Sequence, residues 1–168
     1  MRRAEPLLRT TESAITRATV RLSIFTESSA IDCYISGTGV AFRILVASPL
    51  RILAVDDEQL ITISLGYVFA DSRYELTCAE GSEEALATLH IHSDGFDVII
   101  VDHKMPWSTG VELVGAIRER GIDSEIIVLS AHLSPDIREA YARLDVSVMI
   151  SKPFSIHALR SAVDRIAA

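Results

Sequence analysis

The sequence predicts an α/β fold, a doubly wound parallel sheet of five strands alternating with five helices, with right-handed crossovers and helices on both faces. Three observations predict it. Residues 98–101, Val-Ile-Ile-Val, form a continuous β-branched run suited to a strand buried on both faces, and the run ends on a carboxylate, Asp102. From residue 51 onward, short strand-like runs alternate with segments whose apolar residues recur at helical spacing. Helix-start and helix-stop residues stand between them, among them Ser134-Pro135, Ser155 and Gly121.

In chain order, residues 51–55 read as the first strand, and Asp57 or Glu58 opens a helix to about Ala70, weakened locally by Gly66. Residues 74–78 read as the second strand, and Ser82 is the expected cap of a helix through Leu89. Residues 97–102 are the central strand. Val111, Val114 and Ile117 mark a helix closed by Gly121. Residues 125–129 are the fourth strand, and Ser134 with Pro135 at the first helical position opens a helix to about Arg143. Residues 147–150 are the fifth strand. Ser155 caps a last helix with Ile156, Leu159, Val163 and Ile166 on one face. With residue 168 directly after that helix, no DNA-binding or catalytic output domain is expected from this sequence.

Residues 1–49 form a separate N-terminal extension to a domain at 50–168. Residues 1–38 are rich in Ser, Thr and Arg and lack sustained periodicity, so the extension is expected to be disordered, or upstream sequence included by a wrongly assigned start. There is no apolar core of a secretory signal, and the acids Glu5, Glu12, Glu27 and Asp32 weaken any likeness to a transit peptide. Arg43-Ile44-Leu45-Val46-Ala47 echoes Arg51-Ile52-Leu53-Ala54-Val55 and offers a rival first strand; the acids after Val55 favour the second copy.

At 168 residues and 49% apolar, the chain can bury a sizeable core, and no apolar run approaches membrane-spanning length. Cys33 and Cys78 make no metal or redox motif, which fits a reduced, cytoplasmic setting. Residues 1–49 carry six Arg against four acids, while the rest holds ten Lys plus Arg against nineteen acids. An acidic domain argues against nucleic acid as its direct ligand.

In a parallel sheet the carboxyl ends of the strands share one edge, and ligands bind there. The first strand ends in Asp56-Asp57, the third in Asp102, the fourth in Ser130 and the fifth in Ser151-Lys152-Pro153. Taken singly, an Asp pair is a helix cap, Lys-Pro a turn and Ser130 a strand end. Taken together, three carboxylates crowd one edge, where two unit charges about 4 Å apart repel by roughly 4 kcal/mol at an effective dielectric near 20. Such a cluster needs a cation. Mg²⁺ favours carboxylate, carbonyl and water oxygens, and Lys152 supplies a fixed positive charge.

These residues resemble the receiver domain of two-component response regulators, the CheY-like family. The resemblance rests on Ile52-Leu53-Ala54-Val55-Asp56-Asp57-Glu58, on Asp102 with Met105, Pro106 and Gly110, on Ser130-Ala131 and on Lys152-Pro153-Phe154, and it covers residues 51–168. It implies a flavodoxin-like fold with strand order 2-1-3-4-5. It implies that Asp102 accepts a phosphoryl group from a histidine kinase or histidine phosphotransfer protein. Asp57 and Asp102 would bind Mg²⁺ with the backbone carbonyl of Lys104, and Asp56 would act through a metal-bound water. Lys152 would neutralise a phosphoryl oxygen, Ser130 would hydrogen-bond another, and the Lys152–Pro153 bond would be cis. Such a protein is a phosphoacceptor rather than an enzyme, catalysing only its own Mg-dependent phosphorylation and dephosphorylation. It signals to a protein target through the face of the fourth helix, fifth strand and fifth helix, without direct nucleic acid or membrane contact.

Three positions set this sequence apart. Met149 stands where the family usually has an aromatic switch residue. Lys104 and His132 occupy positions that tune phosphoryl lifetime in the family; a plain solvent-facing role is the competing reading for both. The alternative to a phosphorylated receiver is a receiver-fold interaction module that works without phosphorylation. A haloacid-dehalogenase-type phosphatase is disfavoured because the position two after Asp102 is Lys104 rather than Asp. A flavodoxin is disfavoured because no Ser/Thr/Gly-rich phosphate loop follows the first strand.

Overall fold

The computed structural model describes residues 21–26, 29–36, 39–45, 48–92 and 95–166, the first three segments as backbone strands. The chain divides into two units, Met1–Ala47 and Ser48–Ala168, two residues before the boundary expected from sequence. In the first unit, strands Arg21–Thr26, Ser29–Ser36 and Gly39–Leu45 form an antiparallel meander. Residues 1–20 of the extension expected to be disordered lie outside the described part. In the backbone register Ile24 pairs with Ile31, and Ile31 with Ile44. That pairing signal is non-local, and Ser and Thr between the apolar positions dilute the period-two pattern. Arg43–Leu45, the rival first strand, lies in this meander.

The second unit is the predicted α/β domain. Its strands are β1 (Leu50–Val55), β2 (Tyr74–Ala79), β3 (Val98–Asp102), β4 (Glu125–Ser130) and β5 (Val148–Ser151). They form one parallel sheet in the order β5-β4-β3-β1-β2, which is the 2-1-3-4-5 order expected. All five residues of β3 are buried, as the continuous apolar run requires of a central parallel strand. Its helices are α1 (Gln59–Val68), α2 (Ser82–Ile91), α3 (Gly110–Glu119), α4 (Pro135–Ala142) and α5 (Ile156–Ile166).

Side chains alternate across the sheet, so each strand feeds two cores. Leu53, Val55, Ile99, Val101, Ile126 and Val128 pack with Ala85 and Leu89 of α2, Leu113, Val114 and Ile117 of α3, and Tyr141 of α4. Ile52, Ala54, Val98, Ile100, Ile127 and Leu129 pack with Leu65 and Val68 of α1 and with Leu159, Ala162 and Val163 of α5. Among the described residues no helix is long and apolar enough to cross a membrane.

Caps fix the helix ends. Ser134 accepts from the Ile137 N–H at 3.3 Å with Pro135 behind it, and Ser155 accepts from the Ala158 N–H at 3.1 Å. Thr109 forms a capping box with Glu112, accepting from its N–H at 3.3 Å while the Glu112 carboxylate takes the Thr109 N–H at 2.7 Å. Gly121 closes α3 at φ +69°. Ser82 is a correction: Gly81 is the N-cap of α2, and the Ser82 hydroxyl instead bonds the Ser108 hydroxyl. Glu84 reaches back to accept the Glu80 N–H at 2.8 Å, which ties the chain entering α2 to its first turn.

Gly110 opens α3 directly behind the end of β3. A Cβ there would sit 2.5 Å from Tyr141 Oη, 2.7 Å from the Asp102 carbonyl oxygen and 3.0 Å from His103 Cα. Two of those atoms are backbone and cannot yield. Gly110→Ala should therefore lower stability by about 1–3 kcal/mol through overpacking, despite the ~1 kcal/mol that Ala gains in a helix. Gly115, in the same helix with open space around its Cα, should gain stability as Ala. Thermal melts of the two variants check this; equal shifts would show that the contacts at Gly110 do not matter.

Tyr74 opens β2 and donates its hydroxyl to Asp164 of α5. Burial, then the bond to the Asp164 carboxylate, pushes its phenol from 10.0 up to about 12. The unfolded phenol ionises near 10 and the folded one only near 12, so its stabilisation is complete below pH 10 and is lost as pH rises through that interval. The wild-type melting temperature should fall more steeply between pH 10 and 12 than that of Tyr74→Phe; parallel curves would remove Tyr74 from the alkaline response.

Candidate functional site

The register of the sheet brings four strand ends into line. Val55 pairs with Val101, Asp102 with Leu129, and Ser130 with Ser151. Asp56, Asp102 and Ser130 follow from this as buried polar residues among an otherwise apolar core. Lys152, just beyond β5, anchors its N–H on the Ser130 carbonyl at 2.8 Å and extends its side chain across the edge. Its Nζ lies 2.7 Å from Asp102 Oδ1 and 2.9 Å from Asp56 Oδ2, and 4.0 Å from the exposed Glu58. The Lys152–Pro153 bond is cis, as the family resemblance implies.

Backbone donors complete the two carboxylates. Asp56 Oδ1 accepts the Glu58 N–H at 2.9 Å, and Asp102 Oδ2 accepts the Lys104 N–H at 3.0 Å. Burial pushes the Asp56 carboxyl above its ordinary range, more than the bonds from Lys152 and Glu58 pull it down. For Lys152, burial acts to lower the ammonium, but the hydrogen bonds to Asp102 and Asp56 outweigh it and hold the group above its ordinary value. The arrangement is a buried pair of carboxylates half-neutralised by one fixed cation, next to the exposed Asp57 and Glu58.

The expected crowding of three carboxylates is realised for two. Asp57 is exposed, because it lies in the bend beyond β1 where the chain leaves the sheet, while Asp56, directly after the strand, stays buried. Among the described residues no three His, Cys, Asp or Glu side chains are arranged to hold a metal ion. The donor chemistry nonetheless suits Mg²⁺, which binds through one or two carboxylates and keeps several waters. Ser130 is occupied locally: its hydroxyl donates to the His132 carbonyl at 2.7 Å and accepts the His132 N–H at 3.2 Å. The Lys104 and His132 side chains are both exposed. Met149 is half-buried and packs on the same core cluster as Tyr141.

Sequence reasoning missed Tyr141 and gave His103 no part. Tyr141 is fully buried on α4, and its Oη lies 2.9 Å from His103 Nδ1. Burial, with the Asp102 charge adding to it, raises the phenol well above its ordinary value, so it stays neutral. The i, i+4 spacing of Ile137 and Tyr141 marks an inward face, but nothing local says that a hydroxyl on α4 reaches the residue after Asp102.

Comparison with known proteins agrees with this geometry. The family model of the response regulator receiver domain matches residues 52–164. The transcriptional regulatory protein PdtaR of Mycobacterium tuberculosis is 31% identical over 119 residues, 70% of this chain and 57% of that protein. Response regulator MprA of Mycolicibacterium vanbaalenii is 34% identical over 113 residues, 66% of this chain and 47% of that protein. The structure of chemotaxis protein CheY4 of Vibrio cholerae aligns with a TM-score of 0.66 at 31% identity, covering 70% of this chain and 98% of that one. The chain spans about half the length of the curated relatives it matches. A match that begins in β1 and runs into α5, on a sheet wound in the same order, means that this chain belongs to the receiver-domain family of two-component response regulators.

Proposed function

We propose that Asp102 accepts a phosphoryl group from a phosphohistidine on a histidine kinase or histidine phosphotransfer protein, and that the phosphorylated domain signals to a protein partner. The observation that carries this reading is the Lys152 ammonium held 2.7 Å from Asp102 Oδ1. In the transfer, the donor's P–N bond breaks, its electron pair returns to the imidazole, and a P–O bond forms to an Asp102 carboxylate oxygen. Such a displacement asks the protein for alignment and for neutralisation of charge on the equatorial oxygens. Lys152 meets the second need from a position already fixed.

Asp57 and Asp102, with the backbone carbonyl of Lys104, would hold Mg²⁺, and Asp56 would act through a water on the ion. When bound, the ion adds charge neutralisation to that of Lys152. Ser130 has to exchange its bond to the His132 carbonyl for one to a phosphoryl oxygen, and this exchange is the local difference between the two states. Output then passes through the α4-β5-α5 face, where Met149 takes the place of an aromatic switch residue. Lys104 and His132 flank the approach of hydrolytic water and favour a long-lived phosphoaspartate. On this reading residues 50–168 are a cytoplasmic phosphoacceptor that catalyses only its own phosphorylation and dephosphorylation, and residues 1–49 are an extension to it.

Acetyl phosphate with Mg²⁺ should add one phosphoryl group to the wild type and none to Asp102→Asn, read by intact mass. Equal labelling of both would remove Asp102 as acceptor; no labelling of the wild type would favour a receiver-fold interaction module that works without phosphorylation. Millimolar Mg²⁺ should raise the melting temperature of the wild type by relieving carboxylate repulsion and by binding the folded state alone. Asp57→Ala should lose that rise, and a variant that responds like the wild type would show that Asp57 is not a ligand.

A further inference from the structure

The turn after Asp102 breaks a local rule. Lys104–Met105 pairs antiparallel with Ser108–Thr109, leaving Pro106-Trp107 as a two-residue connection. Proline followed by a residue at positive φ is the order of a type II turn, whose second central position favours glycine. Here that residue is Trp107, at φ +69° and 104% exposed. It is the only tryptophan of the chain. The largest side chain available therefore occupies a strained position and gives nothing to the core. Strain kept at an exposed position points to a use outside the fold.

Beside the ring lies a cleft of about 810 Å³, lined by Glu80, Glu83, Glu84 and Ala87 of the α2 end and by Pro106 and Trp107 of the turn. Every charged lining residue is a carboxylate. The walls are held in place: Ser82 bonds Ser108 across the cleft, and Glu84 accepts the Glu80 N–H at 2.8 Å. Glu80 and Glu83 are exposed. An open aromatic face rimmed by anions matches a cation that brings its own apolar stem, and arginine stacks on indole while pairing with carboxylates. The same charge repels nucleic acid and acidic surfaces.

We propose that this cleft seats a basic segment of a partner protein, with an arginine or lysine lying on the Trp107 ring and a neighbouring basic side chain paired to Glu80 or Glu83. The seat uses neither Asp102 nor the α4-β5-α5 face, so it does not rest on the phosphorylation reading. Electrostatic complementarity of this kind sets partner choice and encounter rate.

The probe is a fluorescein-labelled hexapeptide of alternating glycine and arginine, followed by anisotropy with the full chain. The wild type should bind it saturably and less tightly as salt rises. Trp107→Gly and the pair Glu80→Gln with Glu83→Gln should each weaken binding about fivefold. Glu119→Gln with Asp123→Asn, which removes two exposed acids outside the cleft, should leave it unchanged. Trp107→Gly should melt at or above the wild type, because glycine suits φ +69°. The proposal is overturned by unsaturable binding, by unchanged affinity in Trp107→Gly, by equal weakening in the Glu119/Asp123 pair, or by a marked loss of stability in Trp107→Gly. Sedimentation showing self-association that Trp107→Gly abolishes would make the occupant a second copy of the chain and would equally overturn it.

Discussion

Lys152 Nζ stands within 2.9 Å of two carboxylates, Asp56 and Asp102, that are almost sealed from water. Each buried ion loses several kcal/mol of hydration, and two carboxylates side by side add repulsion of their own. The pair is tolerable because one ammonium faces both and backbone N–H groups take the remaining oxygens. The cation comes from the end of the edge strand β5 and the acids from β1 and β3. The contact is therefore available only when β5, β4, β3 and β1 are in register. It ties this carboxylate edge to the pairing of those four strands.

The back of the same site is built from close packing rather than charge. Gly110 lets α3 start against the Asp102–His103 backbone, and Tyr141 fills the space left over it, its hydroxyl bonded to His103. An apolar ring at this point would leave the His103 nitrogen without that partner; a smaller side chain would leave a void beside the end of β3. Through Tyr141, α4 rests on the residue next to Asp102, and Met149 of β5 packs on the same cluster. A shift at the carboxylate thus meets the proposed output elements through direct contacts.

The front of the site departs from local preference. Trp107 at positive φ and the fully exposed ring conflict with turn chemistry, while α3, α4 and α5 start on the capping residues Thr109, Ser134 and Ser155. Conflicts of that sort gather where a surface does something other than hold the fold. In this chain the conflict sits five residues after Asp102 and opposite an acidic helix end.

What the sequence determined by itself was the architecture and the identity of the central residues. Alternation of β-branched runs with helical periodicity specifies a parallel sheet, because crossover chirality and two-sided burial leave few other arrangements. Caps at Ser134, Ser155 and Gly121 were legible because capping is a contact between near neighbours in sequence. Asp56, Asp102, Ser130 and Lys152 were legible because strand ends in such a sheet share an edge. Only the tertiary structure decided which of those groups meet. Asp56 turns in and Asp57 out, Lys152 bridges two acids rather than facing three, Ser82 gives up its cap for Ser108, and Tyr141 reaches His103. The N-terminal meander was likewise hidden, since its evidence is cross-strand pairing. Each of these depends on the direction of a side chain relative to elements far away in sequence, and periodicity says which face a residue occupies but not what waits there.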